Sequence, residues 1–445
     1  MNCRHDSKRR PRVGMQALAA AVFTLLVTSP PCAAQDPSLI PLGGDEAAQI
    51  LDGFLAVLHR GADEEQLESF VTPDARWGYG LDGLGEQDWV PRFWHNALLQ
   101  LGARSYPPHL ADVQDLQVTV TQRLASGSVV VQREVWSGRP AGEERAHRFE
   151  ALAAYQLRAG RIHRMWYLPT QDLNVPAGVR PRTTACSPAI WFDAAHNNTN
   201  SADGLYSQPA NVLRAAGYPV RVLVHAPLGQ ATLDTIPVLV IVNGLPDGYA
   251  DARSDPDDPP PSAFTDAEIE ALDAWVRAGG RLLLIADHDP WPAASAALAN
   301  RFGARFRNAA AVDTTRPRGG GDLFTRTDGT LRPHPITDGR EPAERVDSVR
   351  TFLGQGFEIE APLEPILVLH DGWKLAPPGT LGSGPYAWKP AAGLAQAAAG
   401  RVGAGRVAIL GEAWLFRFLG PSLEAGNTRF LINLFDWLTE GSCRA

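Results

Sequence analysis

Residues 281 to 290 read R-L-L-L-I-A-D-H-D-P. An apolar run with no polar face has to be covered on both sides, which is the condition of a strand in a parallel sheet packed between helices. Immediately before it, 265 to 278 carry helical periodicity. Thr265 and Glu268 have the spacing of a capping box, and Gly279-Gly280 stops the helix before the strand begins. The same grammar recurs in A-I-W-F-D (189–193), V-R-V-L-V (220–224), V-L-V-I-V-N (238–243) and R-V-A-I-L-G (406–411), with a further helical stretch at 206–216. Strand, helix and strand in alternation predict an α/β doubly wound, mostly parallel sheet over 186–445. Phe430, Leu431, Leu434, Phe435 and Leu438 give the core stripe of a last helix, with Asn427 as its N-cap.

These strands end in polar residues. Asp193, His196 and Asn197 follow the first, Asn243 the third, Asp287, His288 and Asp289 the fourth, and Glu412 the last. Ligands of open α/β sheets bind outside the carboxyl ends of the strands, so the convergence marks a candidate site. A histidine beside a carboxylate transfers protons near neutrality, which makes His288 or His196 the expected general base and Asp193, Asp287 or Glu412 its orienting acid. His196 and His288 are expected to line one pocket with Glu412 on its rim. Asn197, Asn243, Asp289 and His334, the last held extended between prolines, are the expected ligand contacts. A divalent metal at His196, His288 and Asp193 is the alternative use of these groups. Their spacing matches no standard metal motif, so no cofactor is expected. G-x-S-x-G and H-E-x-x-H are absent, and Gly400, Gly403 and Gly405 precede a strand instead of opening a helix, which excludes a dinucleotide fingerprint. The acidic, proline-rich D-A-R-S-D-P-D-D-P-P-P-S (251–262) reads as a lid or rim loop.

Upstream, a stretch containing N-V-P-A-G-V-R-P-R-T-T has no apolar periodicity and reads as a linker at 173–185. Residues 45–172 place helices first (Ile50, Leu51, Phe54, Leu58; then Trp89, Phe93, Ala97, Leu101) and alternating strands afterwards, an α+β arrangement whose sheet curls round its helices. Before these, Arg4, Lys8, Arg9, Arg10 and Arg12 precede an apolar run and the small residues Cys32 and Ala34, the order of a signal peptide cleaved after Ala34. The expectation is a periplasmic or secreted protein with no stable membrane insertion once cleaved. Cleavage removes five basic residues and one acid and takes the formal charge from −8 to −12. With no basic run left, nucleic acid is not an expected partner. Of four cysteines Cys186 and Cys443 remain, and in an oxidising compartment they are expected to be bonded to each other.

Two resemblances add to this reading. The element order of 45–172 and the ending A-G-R-I-H-R-M-W-Y are similar to the nuclear transport factor 2-like, or SnoaL-like, superfamily, which implies an α+β cone. Arg133 matches the arginine of its epoxide-hydrolysing members, whereas Val135 and Leu168 stand where those have acids. In the second region F-D-A-A-H-N-N, A-W-V-R-A-G-G-R-L-L-L-I-A-D-H-D-P, R-P-H-P-I-T, G-A-G-R-V-A-I-L-G-E-A and N-T-R-F-L-I-N-L-F-D-W-L resemble class I glutamine amidotransferase-like proteins of the domain of unknown function 4350, or ThuA-like, type. The amidotransferases carry a cysteine nucleophile where this chain has Asp287-His288, so glutamine hydrolysis is not expected. The combined expectation is a hydrolase or lyase without a cysteine nucleophile, acting on a sugar-like or other small polar ligand, with a non-catalytic binding or sensing protein as the alternative.

Overall fold

The computed structural model describes residues 44–60, 64–79, 97–98, 101, 109–172, 179, 181, 187–198, 200–202, 205–224, 227–247, 249, 258–315, 322–379, 388–416 and 425–441. The expected signal peptide, nearly all of the linker, Cys186, Cys443 and much of the 251–262 loop lie outside them.

Among the described residues, helices α1 (Gly44–His59) and α2 (Glu64–Glu68) precede strands β1 (Val71–Tyr79), β2 (Val113–Ser126), β3 (Val129–Pro140), β4 (His147–Arg158) and β5 (Arg161–Asp172). The strands form one sheet in the order β1-β5-β4-β3-β2, antiparallel except for the β1–β5 pair. Ala159 and Gly160, at φ +50° and +72°, supply the two left-handed positions that a tight β4–β5 hairpin needs. Val130 and Trp136 on one face of β3 join Phe149, Tyr155 and α1 residues Leu51, Phe54 and Leu58 in one apolar core. Strand β1 was not expected. Its sequence V-T-P-D-A-R-W-G-Y is broken by Pro73 and Gly78, residues an edge strand tolerates. Of the second expected helix, Ala97 and Leu98 are helical and buried, and Trp89 and Phe93 lie outside the described residues.

From Ile190 onward the strands are β6 (Ile190–Asp193), β7 (Val220–Leu223), β8 (Val238–Val242), β9 (Arg281–Ile285), β10 (Ala304–Phe306), β11 (Ala310–Asp313), β12 (Asp322–Thr325), β13 (Ser348–Thr351), β14 (Phe357–Ile359), β15 (Glu364–Val368), β16 (Trp373–Ala376), β17 (Lys389–Pro390), β18 (Ala395–Val402) and β19 (Gly405–Leu410). The helices are α3 (Ser207–Ala215), α4 (Gln230–Leu233), α5 (Asp266–Arg277), α6 (Trp291–Arg301), α7 (Pro335–Asp338) and α8 (Asn427–Thr439). Nine strands make a mixed sheet ordered β10-β14-β18-β19-β9-β8-β6-β7, with β15 also paired to β18. Its parallel part is β7-β6-β8-β9-β19, and the chain reverses direction of travel across the sheet between β6 and β8. Ligands of open α/β sheets bind outside the carboxyl ends at such a reversal, which here falls between β6 and β8. Beyond β19 the pairings turn antiparallel, where a mostly parallel sheet was expected.

Alternation divides the buried run between two layers. Val238, Val240, Leu283 and Ile285 pack with Leu213 of α3 and Phe430, Leu431 and Leu434 of α8, whereas Leu239, Ile241, Leu282 and Leu284 pack with Leu272 and Trp275 of α5 and Leu298 of α6. Each such side chain contributes about 1.5–3 kcal/mol by leaving water. The glycines before β19 serve this packing: a Cβ on Gly405 would sit 2.0 Å from the Val276 carbonyl oxygen, so the hairpin can lie against the end of α5 only without one. Asn427 is the first residue of α8, with Gly426 as the cap; its amide instead bridges the Arg350 backbone, accepting from the N–H at 2.9 Å and donating to the oxygen at 2.7 Å.

Candidate functional site

Four parallel strands deliver polar residues to one edge, and hydrogen bonds stitch some of them together. Asn243 leaves β8 at φ +51°, a left-handed position that asparagine adopts more readily than most residues. There its Oδ1 accepts the Asp287 N–H at 3.0 Å, and its Nδ2 donates to Asn200 Oδ1 at 3.4 Å. Asp287 Oδ1 accepts the His288 N–H at 2.8 Å, and its Oδ2 accepts the Ala413 N–H at 3.4 Å. Glu412, next to Ala413, accepts the N–H groups of Trp414 at 2.6 Å and Leu415 at 2.8 Å. Burial pushes the Glu412 carboxyl well above its ordinary range, and the Asp287 charge pushes it further. Burial also raises Asp287, against the opposing charge of His288. Ionising one of these two carboxyls opposes ionising the other. Glu412 was expected on a pocket rim; it is fully buried, because both oxygens turn inward to the amides of the following turn.

The two histidines have separate surroundings. His196 is buried, with Nδ1 2.8 Å from Asp193 Oδ2 and Nε2 3.0 Å from Glu268 Oε1. Both ring nitrogens are occupied, so in this arrangement His196 is not a general base. His288 is the more open of the two. Its Nδ1 lies 2.8 Å from the Asp289 carbonyl oxygen, its ring meets the edge of Trp291 at 5.2 Å, and its side chain is 18 % exposed. A carbonyl only accepts, so Nδ1 carries a proton. Nε2 has no partner among the described residues. Asp289 Oδ2 accepts the Gly379 N–H at 2.7 Å, while its buried Oδ1 has no hydrogen-bond partner among the described residues and is 3.9 Å from His288 Nδ1.

The expected ligand contacts fare differently. Asn197 donates to the oxygens of Pro246 and Tyr249 at 3.3 and 2.8 Å, so its amide ties the loop after β6 to the loop after β8. His334 is far from the role expected of it. Its ring stacks edge-on to Trp437 at 5.4 Å, and Trp437 also lies under Arg406, which pairs with Arg281 where β9 and β19 begin. This is the amino end of the strands, opposite the other candidates. There His334 Nδ1 accepts the Ile336 N–H at 3.1 Å as the cap of α7, and burial, with the Arg406 charge, lowers its pKa to about 4. Among the described residues no group of three or more His, Cys, Asp or Glu side chains could hold a metal ion.

Glu268 and Glu134 were not anticipated. Glu268 sits in the T-x-x-E capping box, a signal that explains its bonds to Thr265 but not its second partner, His196. Glu134 is fully buried in the five-stranded sheet's core, accepting from Gln132 Nε2, Trp136 Nε1 and Tyr155 Oη, each at 2.6 Å. Burial raises its pKa against those donors. Arg133 on the other face pairs with Glu150.

No family model matches the chain, and no curated protein matches it. Solved structures resemble parts of it at low similarity. The N-terminal domain of mmIFT52 is 16 % identical over 58 % of this chain and 100 % of its own, with a TM-score of 0.42. A SnoaL-like polyketide cyclase from Agrobacterium tumefaciens is 16 % identical over 28 % of this chain and 90 % of its own, at 0.22. An NTF2-like protein from Burkholderia thailandensis is 14 % identical over 28 % and 89 %, at 0.21. Likeness at this level says nothing of what this chain binds or does.

Proposed function

We propose that the chain is an exported protein of two domains, a SnoaL-like cone at 45–172 and a glutamine amidotransferase-like α/β domain at 186–445, whose sheet edge hydrolyses or eliminates a sugar-like or other small polar ligand. The observation that carries the reading is His288: a ring oriented through Nδ1 by the Asp289 carbonyl at the strand ends, partly exposed, with no partner for Nε2 among the described residues. Such a ring accepts a proton from water or a substrate hydroxyl, and the Asp287 carboxylate, which accepts the His288 N–H, holds the backbone that carries it. In the hydrolytic form water gives its proton to Nε2 as its oxygen bonds to the anomeric or lactone carbon; the bond from that carbon to the leaving oxygen breaks, and that oxygen takes the proton back from Nε2 as a hydroxyl. No cysteine takes part. Incubating the mature protein with a panel of glycosides and sugar lactones across pH tests the reading, which requires turnover of at least one of them. Absence of turnover throughout the panel counts against it.

One observation favours the alternative, a binding or sensing protein. Both carboxylate oxygens of Glu412, and the amides of Asn197 and Asn198, are already engaged by the protein's own backbone. Ligand-induced thermal stabilisation without turnover identifies that case.

A further inference from the structure

We propose that His196 is a buried imidazolium that latches the loop after β6 to the start of α5, making the carboxyl edge between β6 and β8 a pH-sensitive assembly. The argument is one of donors and acceptors. Glu268 Oε2 accepts from the Thr265 N–H at 2.9 Å and the Thr265 hydroxyl at 2.8 Å, and its Oε1 accepts from the Leu228 N–H at 2.9 Å. Asp193 Oδ1 accepts from the Ala195 N–H at 3.0 Å. Each carboxylate thus already accepts at least one backbone N–H; burial raises Glu268, but the Thr265 and Leu228 amides and His196 bring it down to about 2. Two ionised acceptors face the two nitrogens of one ring at 2.8 and 3.0 Å. A neutral imidazole has one N–H and would set its lone pair against the second carboxylate, so the arrangement closes only with both nitrogens protonated.

Asp193 from β6 and Glu268 from α5 are the charged groups that act on the ring; Phe264 covers it at 4.7 Å, and the His196 backbone oxygen accepts the Leu245 N–H from the loop after β8. The latch therefore joins three segments. Burial lowers the His196 pKa, but the bonds and charges of Asp193 and Glu268 outweigh it and the net shift is upward. A histidine raised in the fold contributes stability that is complete below its unfolded value of about 6.5 and is lost as pH rises through the folded value. Loss of the proton leaves a carboxylate facing a lone pair and weakens the tie between the loop after β6 and the start of α5. The latch stands whatever chemistry His288 performs.

Neutron diffraction from deuterium-exchanged crystals of the unaltered protein near neutral pH is the direct test. Deuterium on both Nδ1 and Nε2 of His196 is expected; a bare nitrogen overturns the proposal. As a second test, Glu268→Gln removes one acceptor charge while keeping the side chain's length, and the His196 pKa followed by NMR should fall by about one unit or more. An unmoved value in a folded variant also overturns it.

Discussion

Asn243 Oδ1 accepts the Asp287 N–H at 3.0 Å, joining the carboxyl ends of β8 and β9 through one side chain in a left-handed backbone position. Asn243→Ala leaves that buried N–H unpaired and puts a Cβ without a compensating amide at positive φ. The expected loss is about 2–4 kcal/mol in urea unfolding. Asn243→Gly relieves the backbone and should lose less. Equal losses in both would mean the φ value carries no strain.

The Asp287 and Glu412 pair predicts a pH dependence with a definite sign. An acid raised in the fold favours the folded state while protonated, so stability should decline as pH rises from the ordinary carboxyl value of 4.5 toward the raised one. Glu412→Gln removes this ionisation and should flatten the decline. Melting temperature measured across that range, with the slope unchanged in the variant, would assign the dependence to other groups.

Much of this was legible in the sequence, for reasons that also mark its limits. R-L-L-L-I-A and V-L-V-I-V-N announce strands buried on both faces, and their ends place Asp193, Asn243, Asp287 and Glu412 at one edge because parallel strands must. What lies across the fold was not legible. The His196 partner Glu268 is 72 residues away and reads locally as a complete capping box. Gln132, Glu134 and Trp136 alternate like a solvent-facing strand edge, yet that face is the inner one, where the three side chains bond to each other. Which end of the sheet the loop carrying His334 would reach depends on α8 and Arg406, and no local pattern encodes it.

His334→Gln should therefore leave any ligand effect intact. It loses the contact with Trp437 and weakens the α7 cap, for an expected cost of about 1–2 kcal/mol. With its folded pKa lowered to about 4, His334 contributes stability that is present above the unfolded value near 6.5 and lost as pH falls toward 4. A melting curve in which this acid-side loss persists in the variant would contradict the assignment.

Intact mass and thiol titration address export. The mature exported protein should begin at Gln35, and its two remaining cysteines, Cys186 and Cys443, should give no free thiol when unfolded without reductant. Two titratable thiols would rule out the bond.

With His288 as the proposed base and His196 as the proposed latch, the rate of His288→Ala is to be measured on whichever glycoside or lactone the unaltered protein turns over. The side chain is 18 % exposed, bonded to the Asp289 carbonyl and set against Trp291, so its loss should cost about 1–2 kcal/mol in unfolding while the protein stays folded. The rate should fall by about 10²–10⁴-fold, the range of a lost general base. A folded His288→Ala protein that keeps its rate would contradict the account.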